Sequence, residues 1–540
     1  MPRARRGPYR HAMTLKRPDT LAVFTEWAGE RYGDLPALRH RREDDGAWTP
    51  VSYERLRATV RETGQGLIAL GVASGDRVAI LSETRVEWTY AHFAVLAAGA
   101  VVVPVYPTAG EEELAWVLGD SGASVVLVED AAQGARVAGV RGRLPALRHV
   151  IGLHDLAGAR ATPDALHDLA GARATPDALL ARARAVRPAD GAAIVYTSGT
   201  TGPPKGVRLT HGNLGAVQDA TLPLIEGGPG DRTYLYLPLA HLLAQLIQFT
   251  TLLYGGELCY FGGRIENVVT ELAEAQPTHL PSVPRLFEKV HSMARAFGAT
   301  PEQVREALGG RLRWALTGAA PIAPETLEFL AECGVQVFEG YGMTESGGVI
   351  SLNHPGAVRY GTVGRPVAGC EVRIAGDGEV LARGPMVAAG EVADDGWLHT
   401  GDLGALDEDG FLTITGRKKD LIITSSGKNL SPSEVELLIE RAPVVSHAVM
   451  AGDRRPYPVA LITVDADAVR GLDADAVRAL VQEAVDAANA RVSRPARIRA
   501  FTVLEEDFSV ADGVLTPTLK VRRKAVLERY AAEIDKLYDR

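Results

Sequence analysis

YTSGTTGPPKGV, from Tyr196 to Val207, is the stretch on which the reading of this chain turns. The apolar, β-prone residues Ala193 to Tyr196 predict a strand. It runs into Thr197, Ser198, Gly199, Thr200, Thr201 and Gly202, with Lys205 three residues further on. Glycines let backbone N–H groups come close to phosphate oxygens, hydroxyls add donors, and the lysine adds charge. The segment is not a P-loop. Gly206 follows Lys205, no hydroxyl comes next, and the G-x-x-x-x-G-K-[ST] spacing is absent.

On either side of this loop, helix-like and strand-like segments alternate. Val51 to Leu70 has helical periodicity, Arg77 to Leu81 reads as a strand, Trp88 to Ala98 as a helix and Val101 to Val105 as a strand. That rhythm persists to about Thr415 and predicts a layered α/β fold with a largely parallel sheet. From Leu421 onward the periods shorten. A helix at Ser433 to Ala442, a strand at Ala448 to Gly452 and a polar final helix from Arg522 suggest a separate small α+β domain, joined near Gly416 to Asp420. The expected organisation is therefore multidomain: a basic arm over 1–17, a large domain of layered α/β subdomains over 18–418, and a small domain over 419–540. Leu153 to Ala165 (LHDLAGARATPDA) is repeated letter for letter from Leu166 to Ala178. Two copies are too few for a solenoid, so the repeat reads as a duplication within a surface connection.

Composition narrows the function classes. At 540 residues with 46% apolar content, the chain has enough to bury for at least two cores. A formal charge of −9 argues against a nucleic-acid partner, which would require a basic surface. Cys259, Cys333 and Cys370 are widely spaced and form no metal-ligand pattern, as expected of thiols in a reducing cytoplasm. The longest apolar run, Ala91 to Val105, is broken by His92 and contains Pro104. It is shorter than the roughly 20 residues that a membrane span needs. The arm carries Arg3, Arg5, Arg6, Arg10, Lys16 and Arg17 without an acid or an apolar core, so it lacks the pattern of a secretion signal. Weak peripheral attraction to an anionic membrane is the sharper reading of that arm, and a solvated tail the plainer one.

Five further strings follow the loop in order: TGAAP at Thr317 to Pro321, GYGMTES at Gly340 to Ser346, HTGDLG at His399 to Gly404, GRKKDLI at Gly416 to Ile422, and LTPTLKVRR at Leu515 to Arg523. With these the chain resembles the adenylate-forming superfamily, which holds acyl-CoA synthetases, luciferases and peptide-synthetase adenylation domains. The resemblance covers nearly the whole chain. It implies that a carboxylate attacks the α-phosphate of ATP and expels pyrophosphate, a step that brings anions together and needs cations and oriented dipoles.

By that resemblance, Thr197 to Lys205 closes over the β- and γ-phosphates. Thr344 contacts the α-phosphate, and Glu345 with Thr200 holds Mg2+. Gly318, Ala319 and Ala320 wall the adenine and Tyr341 stacks on it, with Glu339, Gly340 and Gly342 alongside. Asp402 accepts the ribose hydroxyls, and Arg417 accompanies it. Lys520 is the catalytic lysine, bridging the carboxylate and the α-phosphate. Because Lys520 sits on the small domain, the resemblance also implies that this domain swings about Lys419, within 416–420, and brings Ser426 and Gly427 to coenzyme A. On its own, each of these residues reads more plainly as a turn, a cap or a surface charge.

The string from DGWLHTGDLG to SPSEVE looks like the long-chain fatty acyl-CoA synthetase branch. LPLAHLLAQLIQF, Leu237 to Phe249, occupies the position that borders the acyl pocket, and places His241 among the catalytic candidates. Such a helix is also the ordinary appearance of a core helix. Three alternatives stay open: an acid that is aromatic or specialised, a carrier protein's pantetheine as acceptor, and a non-catalytic paralogue.

Overall fold

The computed structural model describes residues 16–41, 46–153, 175–197, 203–264, 267–425, 428–516 and 520–539. The basic arm up to residue 15 and most of the 13-residue repeat lie outside the described residues. The chain divides into two compact units. The first comprises 1–320, 326–372 and 382–398, and the second 321–325, 373–381 and 399–540.

Two layered sheets make the first unit. One runs in the order His149–Gly152, Val125–Val128, Arg77–Leu81, Val101–Val105, Gly191–Thr197, Lys205–Thr210, parallel except for its last strand. Its strands are continuous apolar runs such as VVLV and RVAIL, as expected when helices cover both faces. Among the described residues, the second sheet has nine strands. Its middle is parallel: Trp314–Thr317 lies between His279–Ser282 and Gln336–Tyr341, so these three chains leave the sheet on the same side. The second unit is built on Val445–Ala451, Val459–Val464 and Phe501–Val503, antiparallel then parallel, packed against helices Pro432–Glu440 and Ala474–Arg491.

The multidomain α/β expectation holds, with local corrections. The helix expected over Val51 to Leu70 begins later. Trp48–Ser52 is a strand, and Ser52 caps the helix Tyr53–Ala69 by accepting the Arg55 N–H at 3.1 Å. The expected final helix is two pieces, Arg523–Arg529 and Ala531–Lys536, interrupted at Tyr530. The apolar run Ala91 to Val105 is a buried helix end followed by a buried strand, as its breaks suggested. All three cysteines are buried and unbridged. Among the described residues, no helix is long and apolar enough to cross a membrane.

Inside the first unit, the helix His211–Thr221 starts on a buried histidine. His211 Nδ1 accepts the Leu21 backbone N–H at 3.2 Å, which requires a neutral ring. Burial, against the opposing charge of Asp190, pushes its pKa down to about 4. The unfolded chain takes up a proton near pH 6.5, and the folded chain only near pH 4. Stability is therefore full above about pH 6.5, falls as pH drops toward 4 and levels off below, with about 3 kcal/mol at stake. A pH series of melting temperatures is expected to show this acid slope, and His211→Gln to flatten it. An unchanged slope in the variant would refute the assignment.

Candidate active site

The loop read first from the sequence rises from a hairpin. Thr197 pairs with Lys205 across the strands Gly191–Thr197 and Lys205–Thr210, and its Oγ1 donates to the Lys205 carbonyl at 3.5 Å. Ser198, Gly199, Thr200, Thr201 and Gly202 lie outside the described residues. Helix Glu111–Ser121 holds both feet of the hairpin. Trp116 Nε1 donates to the Pro204 carbonyl at 2.9 Å, and the Tyr196 hydroxyl donates to Asp120 at 2.5 Å. Trp116 and Asp120 are four residues apart, hence on one helix face. Burial and the bond to Asp120 keep the Tyr196 phenol protonated well above its usual range. The exposed Lys205 ammonium is ion-paired with the largely buried carboxylate of Glu391.

Where the parallel strands Trp314–Thr317 and Gln336–Tyr341 end, Thr317 faces Glu339, and the two exits carry the other nucleotide candidates. Gly318 is buried, while Ala319 and Ala320 are exposed. A Cβ on Gly318 would stand 2.8 Å from the Gly340 carbonyl oxygen, so only glycine allows this approach. Ala319 has φ +69°, a left-handed conformation that costs an alanine about 1 kcal/mol. Beyond Gly342, Thr344–Ser346 forms one 3-10 turn, fixed by Ser346 Oγ donating to the Met343 carbonyl at 2.9 Å. Thr344, Glu345 and Tyr341 are half-buried.

This turn is seated on its neighbours. The Glu345 carbonyl accepts the Ala388 N–H at 2.9 Å, and Asn213 Nδ2 donates to the Pro385 and Val387 carbonyls at 2.9 and 3.1 Å. The segment from Pro385 to Glu391 thus connects the Glu345 turn to the partner of Lys205. Gly348 (φ +101°) lies flat on the helix Leu242–Leu253, where a Cβ would come within 2.6 Å of Leu246. His241, expected among the catalytic groups, is the N-cap of that helix. Its Nδ1 accepts the Leu243 N–H at 3.2 Å.

In the second unit, three of the expected residues converge. Asp402 and Arg417 are cross-strand partners on Leu398–Leu406 and Leu412–Arg417, and Arg417 Nε donates to the buried Asp402 Oδ1 at 2.8 Å. Lys520 is fixed in a small hairpin. Its backbone N–H donates to Thr516 Oγ1 at 3.0 Å, and Leu515 bridges to Val521. Its side chain keeps an exposed surface, yet desolvation and the like charge of Arg417 lower its pKa, against the pull of Asp402. The ammonium therefore stands within electrostatic reach of the Asp402–Arg417 pair.

Next to that pair, Glu379 is buried and accepts from the Gly401 N–H at 2.9 Å and from Lys418 Nζ at 3.0 Å. Burial works to raise its pKa, but these bonds and His399 hold it below the usual value. Lys418 also pairs with Asp377 at 2.6 Å. Lys419 lies on the 3-10 turn Lys418–Asp420. Ser426 and Gly427 lie outside the described residues. Sequence reasoning missed Trp116, Asp120, Glu379 and Glu391, none of which belongs to a motif. The i, i+4 spacing of Trp116 and Asp120 was the one signal available.

With this geometry in place, the profile of AMP-binding enzymes matches residues 24–392, and that of the AMP-binding enzyme C-terminal domain matches 419–540. The chain belongs to the AMP-binding enzyme family. It is similar to a long-chain-fatty-acid–CoA ligase, FadD15, of Mycobacterium bovis: the two are 38% identical over 93% of this chain and 94% of that one. Its fold is similar to the anthranilate CoA ligase AuaEII bound to anthranoyl-AMP, at TM-score 0.80 and 21% identity over 97% and 99% of the chains. It is also similar to the o-succinylbenzoate CoA synthetase of Bacillus subtilis bound to ATP and magnesium, at TM-score 0.72 and 25% identity over 93% and 98%.

Trp116→Phe removes one N–H donor and keeps the ring. Hydrogen exchange at the Lys205 and Gly206 amides, which follow the two prolines, is expected to quicken about fivefold, the worth of one hydrogen bond of about 1 kcal/mol, with the melting temperature nearly unchanged. Unaltered exchange there would mean that Trp116 does not hold the loop.

Proposed function

We propose that the chain activates a medium- or long-chain fatty acid as its acyl-adenylate and passes the acyl group to coenzyme A, releasing AMP and pyrophosphate. The observation that most supports this reading is the meeting of Lys520 with the Asp402–Arg417 pair in one compact unit. A carboxylate aimed at ribose hydroxyls, a guanidinium beside it and an ammonium within their field form the set required to seat an adenosine phosphate and neutralise charge at its α-phosphorus. In this reading Asp402 takes the ribose, Arg417 steadies it, and Lys520 draws the fatty carboxylate to the phosphate. The glycine-rich loop with Thr197 and Lys205 clasps the outgoing pyrophosphate, which requires Lys205 to leave Glu391. Gly318, Ala319, Ala320 and Tyr341 enclose the adenine.

Oxygen donors at Glu345 and Thr200 suit a magnesium ion, which commonly binds one or two carboxylates together with substrate phosphates. Among the described residues no three His, Cys, Asp or Glu side chains gather, so one carboxylate with phosphate oxygens is the donor set in view. When bound, the ion neutralises phosphate charge. Leu242 and Leu246 border the acyl chain, each buried CH2 contributing about 0.8 kcal/mol. His241 sets the start of that helix. Movement about Lys419 exchanges Lys520 for the Ser426–Gly427 segment between the two half-reactions. The cytoplasm is the expected compartment, with at most weak contact to a membrane surface.

Pyrophosphate release, measured across acids from acetate to oleate with benzoate and cinnamate included, is expected to peak on the longer aliphatic acids. A maximum on aromatic acids would overturn the fatty-acid assignment. Lys520→Ala is expected to slow adenylation at least 100-fold while sparing thioester formation from preformed acyl-AMP; equal losses in both steps would overturn the role of Lys520. Because the Lys520 pKa is lowered, the alkaline limb of the adenylation profile should fall below that of an ordinary lysine. Arg417→Gln, which removes a like charge, should move that limb upward.

A further inference from the structure

The ion pair at the foot of the first unit's hairpin joins two groups of unequal standing. Glu391 ends the 3-10 turn Ala389–Glu391, and its side chain is only 12% exposed, whereas that of Lys205 is 62% exposed. Among the described residues, Lys205 is the one cation that this carboxylate meets. A carboxylate so enclosed is costly to leave without a counter-charge, while an exposed ammonium is hydrated with or without one.

Both partners are carried on one braced frame. Lys205 opens the strand Lys205–Thr210, which runs straight into the helix His211–Thr221, capped by Thr210 together with Asn213. From that cap Asn213 Nδ2 holds the Pro385 and Val387 carbonyls, and the next residue, Ala388, donates its N–H to the Glu345 carbonyl. The Glu391 N–H then closes the turn onto the Ala388 carbonyl at 2.9 Å. On the other side, Lys205 pairs with Thr197 across the hairpin, and the adjoining Pro204 carbonyl is held by Trp116. With both backbones tied, the part left to move is the four-carbon stem of Lys205, whose ammonium is a point charge that can change partners.

We infer that Glu391 is a positioning residue that parks the Lys205 ammonium in the free enzyme and competes for it with the triphosphate tail of ATP. The inference rests on the proposed function, in which Lys205 clasps the outgoing pyrophosphate. Moving the ammonium onto a phosphate leaves Glu391 enclosed without a counter-charge, and that cost is subtracted from nucleotide affinity. Phosphate meets the ammonium only in the fraction of molecules whose pair is open, and apparent affinity falls by that fraction. When the ammonium returns to Glu391 the cost is recovered, so the same carboxylate favours the departure of pyrophosphate.

Glu391→Gln keeps the shape of the side chain and removes its charge. Calorimetric titration of the whole enzyme with inorganic pyrophosphate, and separately with magnesium ATP without acid, is expected to show about fivefold tighter binding in this variant, the worth of a half-exposed ion pair. Glu391→Ala should give the same gain, since charge and not shape is at issue. In the Lys205→Gln background, Glu391→Gln should bring no gain. A full gain there would mean plain repulsion between carboxylate and phosphates, and would overturn the competition for Lys205. Equal or weaker pyrophosphate binding by both Glu391 variants would also overturn it, as would failure of wild type and variants alike to bind pyrophosphate. If pyrophosphate binds as stated but no acid yields acyl-CoA, the proposed function falls and the competition stands.

Discussion

The exits of two neighbouring parallel strands approach each other so closely that one methyl group on residue 318 would strike the carbonyl of Gly340 at 2.8 Å. Much of the first unit follows from that constraint. Glycine at 318 lets the chain after Thr317 turn across the chain after Glu339, and the strained Ala319 sits at the top of that turn. The same economy of side chains recurs at Gly342, Gly347 and Gly348, where the turn carrying Glu345 presses on its own return path and on Leu246. Small residues here are a packing requirement. They bring backbone dipoles and one carboxylate to a common edge of the sheet, where a parallel α/β layer ordinarily offers its ligand cleft.

The second unit meets a different demand. Asp402 is buried, and burial alone would disfavour its charge; Arg417 on the neighbouring strand compensates. Glu379 repeats the pattern on the next strand of the same sheet, with Lys418, His399 and the Gly401 N–H as compensating donors. Two buried carboxylates, each with its own cation, hold the ends of the strand pair in register, and Lys520 adds a third positive charge to this field. The lowered Lys520 pKa expresses the crowding: the ammonium is partly desolvated beside a guanidinium, and Asp402 only partly offsets both.

How much of this could be read from sequence depended on whether a residue's role is local. The α/β class, the strands at Arg77–Leu81 and Val101–Val105 and the strand leading into the glycine loop follow from periodicity within about ten residues, whereas the returning strand Lys205–Thr210 was not foreseen. The onset of the helix Tyr53–Ala69 was misjudged because Val51 and Ser52 continue the apolar pattern while pairing as strand. Asp402 and Arg417 were legible through their motifs. Trp116, Asp120 and Glu391 were not, because each acts on residues 76 to 186 positions away and belongs to no motif, the four-residue spacing of Trp116 and Asp120 being the one local hint. His241, singled out from its motif, also caps a helix start through its ring, a role its sequence context did not announce.

The double tether of Lys418 has a mechanical consequence. With its ammonium moored to Asp377 at 2.6 Å and Glu379 at 3.0 Å, the chain up to that residue is clamped like a shaft in a bearing. Any swing of the polypeptide beyond it must be taken up by the torsions that follow. For the movement proposed above, such mooring would confine the pivot to the few bonds after Lys418, so that one residue's backbone would set the whole arc.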